Sequence, residues 1–140
     1  MNRYVIDTNC LITIISARNK YHEIWNAFIR GHFILCVSTE ILEEYEEVIG
    51  RNINPKLAAY VLYTITERNN VKRISPSYRF HLIQADPDDN KFVDCAIIAN
   101  AKFIVTGDHH FNVLKDVPFP IVHIEDLESF YNEICGKNYN

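Results

Sequence analysis

The residues best suited to chemistry in this 140-residue chain are carboxylates, and they cluster in four places. Asp7 ends the apolar run "YVID" and Asp108 ends "FIVTGD". Asp86, Asp88, Asp89 and Asp94 crowd the segment "QADPDDNKFVDCAIIANA", and five glutamates mark "TEILEEYEEVIG". Brought together, such oxygens suit a hard divalent cation, which lowers the pKa of a bound water and stabilises charge developing at a phosphodiester. Kept apart, each has a plainer role. Asp at a strand-to-helix turn caps the helix, and acids in a first turn meet the helix dipole.

Which acids can meet depends on the elements that carry them. The apolar runs "RYVID", "HFILCVS", "VKRIS", "FIVTGD" and "PIVHIE" read as strands. Between them "CLITIIS", "YHEIWNAFIRG", "STEILEEYEEVIG", "NPKLAAYVLYTITERNN", "HFNVLKD" and "IEDLESFYNEI" read as helices, with one more over the aspartate-rich segment. Ser38 or Thr39 serves as an N-cap, Asn54 before Pro55 starts a helix, and Gly31 and Gly50 stop two others. Strands alternating with helices, each strand nearly continuous in apolar residues, predict an α/β fold. Its three layers, α/β/α, enclose a central parallel sheet of about five strands. Ligands of such sheets bind beyond the carboxyl ends of the strands, where Asp7 and Asp108 fall.

Helical phase sorts the remaining acids. At about 100° per residue, with Phe92 as zero, the apolar stripe of the aspartate-rich helix centres at about 50°. Asp89 falls at about 60°, inside that stripe, and Asp94 at about 200°, on the opposite, wet face. Asp86 before Pro87 suits an N-cap, and a capping-box acid at Asp89 would be ordinary. An inward carboxylate still needs a partner, because burying it alone costs several kcal/mol, roughly 2–7 even for a neutral polar group. A metal is one solution. In "TEILEEYEEVIG", with Ile41 as zero, the stripe centres at about 30°, and Glu44 at about 300° and Glu46 at about 140° flank it. Angle does not choose between Glu44 and Glu46. Glu40, Glu43 and Glu47 read as a solvated face.

Composition bounds the rest. The length fits a single domain over residues 1–140, with a frayed tail from about residue 136. Hydrophobic residues make up 48% of the chain, enough for a real core, yet no run approaches the ~18 apolar residues of a membrane span. The opening "MNRYVIDTN" reaches an acid too soon for a signal peptide, so a cytoplasmic protein without a membrane partner is expected. Cys10, Cys36, Cys95 and Cys135 show no C-x-x-C spacing and read as buried thiols in a reducing compartment rather than zinc ligands. A net charge of −4 and a pI of about 5.8 argue against a broad basic surface for duplex DNA, but a bound cation inverts the sign of an acidic pocket locally.

The order "VIDTN", "VSTEILEEYEEVI", "DPDDNKFVDCAIIANAKFIVTGD" resembles the PIN-domain family, and most nearly its branch of toxin components of bacterial toxin–antitoxin pairs. The resemblance runs from Arg3 to about Phe130. It implies a Mg2+- or Mn2+-dependent endoribonuclease, with one or two ions per site, that hydrolyses phosphodiester bonds of single-stranded or structured RNA. Family acids carry over onto Asp7, Glu44, Asp89 and Asp108 as metal ligands and catalytic groups. The choice of Glu44 over Glu46 rests on the resemblance. Asn9 and Thr106 match supporting polar positions, and an antitoxin protein and a homodimer, with an interface near Trp25 and Tyr60, are the implied partners. Arg18, Lys20, Arg51 and Lys91 are candidates for holding phosphates. "GDHH" departs from the pattern, and His109 and His110 read as exposed turn histidines. Two other readings stay open: a Mg2+-binding phospho-receiver-like signalling module, although "PIVHIE" lacks the lysine it wants, and a catalytically inactive PIN-like partner-binding protein.

Overall fold

The apolar runs become five short strands in the computed structural model, which describes residues 1–136: β1 (Arg3–Ile6), β2 (Ile34–Ser38), β3 (Val71–Ile74), β4 (Phe103–Val105) and β5 (Ile124–Glu125). The helices are α1 (Thr8–Ile15), α2 (His22–Ile29), α3 (Thr39–Asn52), α4 (Pro55–Glu67), α5 (Asn90–Ala99) and α6 (Leu127–Ile134). All strand pairs are parallel, in the order β3-β2-β1-β4-β5, and helices cover both faces. Alternation along β1 splits the core. Tyr4 and Ile6 face α2 and α6, where Tyr4 meets Phe33, Phe103 and Phe130. Val5 turns to the other face, which α5 crosses against β1, β2, β3 and β4.

The order places a reversal between β1 and β4. From β1 the chain winds outward through β2 and β3, then crosses back to β4 and β5 on the other side. The crevice beyond the carboxyl ends of β1 and β4 is therefore the switch point at which open parallel sheets bind ligands. The register pairs Ile6 with Val105, and Asp7 N–H donates to the Val105 carbonyl at 3.0 Å. That register sets Asp7 beside Thr106.

Local signals acted mostly where sequence put them. Ser38 caps α3, Asn54 caps α4 ahead of Pro55, and Gly31 takes φ +80° just after α2. Gly50 does not stop α3, which runs on to Asn52. A mid-helix glycine costs only about 1 kcal/mol, and contact with α4 offsets that cost. "HFNVLKD" forms a 3₁₀ stretch, His109–Asp116, rather than an α-helix. Pro87–Asp89 is likewise a 3₁₀ turn, and α5 proper begins at Asn90. Trp25, expected near an interface, is buried against Phe28, whereas Tyr60 is exposed. The expected frayed tail lies, beyond Gly136, outside the described residues.

The larger correction concerns Asp94. It is not on a wet face but only 1% exposed. The irregular segment between β3 and α5 folds back over that helix. Phe80 N–H donates to Asp94 Oδ1 at 3.1 Å, and the Asn90 side chain exchanges two bonds with the Ile83 backbone, at 2.9 and 2.8 Å. Helical periodicity cannot reveal such a covering, because the loop has no period of its own. The second Asp94 oxygen is buried without a hydrogen-bond partner, and burial raises the carboxyl pKa. Asp94→Ala is expected to lower the unfolding free energy by about 1–3 kcal/mol, by leaving Phe80 N–H unpaired. Urea denaturation checks this, and an unchanged midpoint at unchanged slope would return Asp94 to a solvated face.

Candidate functional site

Asp7 leaves β1 as the N-cap of α1, so its carboxylate is fixed at both oxygens. Cys10 N–H donates to Oδ1 at 2.8 Å and the Thr106 hydroxyl to Oδ2 at 2.5 Å. The Thr106 oxygen in turn accepts from Asp108 N–H at 3.0 Å, linking the ends of β1 and β4 into one chain of bonds. Burial raises the Asp7 pKa, opposed by those hydrogen bonds and reinforced by the charge of Asp108. Asp108 caps the 3₁₀ stretch after β4 by accepting from His110 N–H at 2.9 Å.

Glu44 arrives from α3. The helix is pinned at this point by the next residue, Tyr45, whose buried hydroxyl donates to the Ile6 carbonyl at 2.5 Å. Both Glu44 oxygens are occupied. Oε1 takes Lys91 Nζ at 2.6 Å, and Oε2 accepts from the Thr8 hydroxyl next to Asp7. Glu46 is exposed, so packing separates the two glutamates that angle left open.

Asp89 ends the 3₁₀ turn before α5, where the 100° phase of an α-helix does not apply. Its side chain is 16% exposed, and Oδ2 is buried with no hydrogen-bond partner. Burial, then the charges of Asp86 and Asp108, push its pKa up to about 7. His110 closes the group. Its buried Nδ1 lies 3.2 Å from Asp108 Oδ1 and 3.8 Å from Asp89 Oδ2, yet makes no aligned hydrogen bond.

Among the described residues, Thr106 links Asp7 to Asp108, His110 lies between Asp108 and Asp89, and Glu44 joins through Thr8 and Lys91, but of the four acids only Asp89 belongs to a group whose ligand atoms lie within 4.8 Å of one another. Asn9 is exposed on the wall of an adjoining cleft of about 600 Å³ that Asp7, Asp108, Asp126 and Glu128 also line. Lys20 stands at that rim, paired with Glu128 at 2.8 Å. Arg18 is exposed, and no contact ties it to the acids. Arg51 pairs outward with Glu47, seven residues beyond Glu44 and so about 10 Å further along the helix. His109 is an exposed turn histidine, its side chain 84% accessible, but His110 is not. Sequence reasoning missed Asp86 and His110 as members of the cluster. The doubled histidine after "TGD" was the available signal for the second. Asp86 had looked fully explained as a cap.

A divalent cation fits this donor set. Asp86, Asp89 and His110 each present one ligand atom, all within 4.8 Å of one another, and two buried polar atoms lack partners there. Without a cation the cluster opposes the fold as pH rises. The Asp89 carboxyl is pushed up to about 7 in the folded chain, from the ordinary 3.8. Between those values the folded state holds the extra proton, so its stabilising contribution is present at low pH and lost as pH climbs through 7. In chelator, the melting temperature is expected to fall by a few degrees between pH 5 and pH 7.5, with a shallower fall for Asp89→Asn. Equal slopes, read by differential scanning calorimetry, would contradict the unpaired state of Asp89.

No curated protein sequence matches the chain significantly. Solved structures do resemble it. A chain of the VapBC2 complex from Rickettsia felis, bound to a DNA fragment from their promoter, aligns with a TM-score of 0.61 at 15% identity, covering 89% of this chain and 98% of that one. Mycobacterium tuberculosis VapC20, a Sarcin-Ricin loop cleaving toxin, aligns with a TM-score of 0.57 at 13% identity, covering 78% of this chain and 92% of that one. At such identities the likeness speaks for the fold. A family model for the PIN domain matches residues 3–110, a span that holds the β1–β4 switch point and every acid gathered there, and the protein therefore belongs to the PIN-domain family.

Proposed function

We propose that the chain is a Mg2+- or Mn2+-dependent endoribonuclease that hydrolyses phosphodiester bonds of single-stranded or structured RNA, and that it is the toxin of a toxin–antitoxin pair. The observation that supports the chemistry is the chain of acids at the switch point, in which Thr106 links Asp7 to Asp108 and His110 lies between Asp108 and Asp89, with a buried Asp89 oxygen left unpaired. The choice of RNA, and of an antitoxin as partner, is supported by family membership and by what the structurally similar VapC20 and VapBC2 are described as doing. No helix among the described residues is long and apolar enough to cross a membrane, which accords with work in the cytoplasm.

In this reading Asp7, Asp89 and Asp108 hold the ion, directly or through water. A bound ion would supply a water of lowered pKa and a counter-charge for the phosphodiester. The protein's own share is orientation. Thr106 fixes the Asp7 carboxylate, and Thr8 and Lys91 fix that of Glu44, the group placed to orient or accept a proton from the attacking water. Lys91 Nζ, with its side chain 11% exposed, also stands ready to meet a phosphate oxygen beside Glu44. Lys20 at the cleft rim, paired with Glu128, is a weaker candidate, and Arg51, about 10 Å further along α3, lies too far out to serve the same phosphate. A homodimer, for which the exposed Tyr60 and Tyr63 of α4 offer surface, belongs to the same proposal. The phospho-receiver alternative loses ground to the family match. The inactive alternative is weakened by the presence of all four acids.

The test is cleavage of a single-stranded RNA by the purified protein. Cleavage is expected to need Mg2+ or Mn2+ and to stop in excess EDTA. Asp7→Asn and Asp89→Asn are each expected to lower the rate by roughly 100-fold or more, since each removes charge from the Lewis-acid site. Asp94→Asn keeps an acceptor for Phe80 N–H and is expected to retain most of the rate. Full activity in chelator would refute the mechanism, and acceptance of phosphate from acetyl phosphate without RNA cleavage would favour the signalling module.

A further inference from the structure

We infer that His110 is a nitrogen ligand in the ion site of this chain, completing with Asp86 and Asp89 a mixed oxygen and nitrogen set that favours Mn2+ over Mg2+. The inference rests on the ion-dependent reading above and adds two ligands, Asp86 and His110, that the four-acid pattern does not contain.

Asp86, Asp89 and His110 bring their ligand atoms within 4.8 Å of one another, close to twice a metal–ligand bond of about 2.2 Å. Asp89 Oδ2 and His110 Nδ1 are buried and make no hydrogen bond, and they face each other across 3.8 Å. Ring nitrogens this well hidden ordinarily find a partner. Asp108 Oδ1, at 3.2 Å, lies within charge-pairing distance but is misaligned as an acceptor, and it already takes His110 N–H. An ion between the two orphaned atoms satisfies both.

The supports of Asp86 and His110 are independent of the ion. Asp86 is held by Asp88 N–H at 3.2 Å ahead of Pro87. His110 is held at its backbone by the Asp108 cap, and its ring packs on His109 with centroids 4.5 Å apart. The site is thus preorganised from two separate turns, the one before α5 and the one after β4. Mg2+ prefers oxygen ligands and gives up its waters reluctantly, whereas imidazole suits the transition ions. A histidine here selects between ions that four carboxylates alone would treat more nearly alike.

The direct test needs no variant. Wild-type protein loaded with one equivalent of Mn2+ is expected to show a directly coordinated histidine 14N coupling in pulsed EPR. In Mn2+ titrations read from the free-ion EPR signal, His110→Gln is expected to lose that coupling and to bind Mn2+ about tenfold more weakly. Its Mg2+ affinity, measured by competition, is expected to change far less. Absence of the nitrogen coupling in the wild type would overturn the inference, as would equal weakening for both ions, which would make His110 merely a charge partner of Asp108. The two readings can fail separately. Nitrogen-coupled Mn2+ in a protein that cuts no RNA would leave the ligand set standing and remove the function. RNA cleavage without the coupling would do the reverse.

Discussion

The pairing of β1 with β4 is the constraint from which the site follows. Once Ile6 aligns with Val105, Asp7 must stand beside Thr106, and Asp108 two residues on must look back at Asp7. A slip of one residue along this pair would turn Asp7 to the other face and break the bond from Thr106. Burial on both faces of the sheet specifies the register, because Tyr4, Ile6 and Phe103 fit only the aromatic face and Val5 and Ile104 sit fully buried in the core. Core packing and site geometry are therefore set by one set of hydrogen bonds.

The acids at the switch point do not all bear the same stress. Asp7 has two donors, and Glu44 has a lysine and a threonine. Asp89 and His110 retain buried atoms with nothing to bond. Proteins commonly carry their unsatisfied polar groups where function needs them, and stabilise them through the surrounding structure. Here that structure is a tripod: the end of β1, the α3 turn pinned by Tyr45, and the loop clamped to α5 by Asn90 and Asp94. The two settled acids are held by their neighbours, and the unsettled pair is left without partners.

Charge also shapes the approach to the site. Asp126 and Glu128 line the cleft beside Asp7 and Asp108, and Lys20 pairs only with Glu128 of the two. A polyanion entering this cleft meets repulsion until a cation is bound. Lys91 is the one basic side chain built into the acid cluster among the described residues, and it is committed to Glu44, so the protein itself supplies little of the attraction.

The sequence by itself determined the strand–helix alternation, the caps at Asn54 and Asp86, a cap at Ser38 or Thr39, and the strand-end acids Asp7 and Asp108. Each depends on local chemistry, on periodicity, or on the position of an acid at the end of an apolar run, and all of these are written into neighbouring residues. Helical phase placed Asp89 inward for an imperfect reason, since the residue belongs to a 3₁₀ turn rather than to α5. The choice of Glu44 over Glu46 needed family resemblance; the structure leaves Glu46 exposed and holds Glu44 next to Tyr45, whose hydroxyl donates to the Ile6 carbonyl. Tertiary structure alone decided that Asp94 is buried and that His110 meets Asp86 and Asp89. In both cases the deciding contact joins segments with no shared period, a loop folded over α5 and two turns facing each other across the switch point. Local sequence records what a residue can do with its neighbours, and only the packing of distant segments settles which partner it finds.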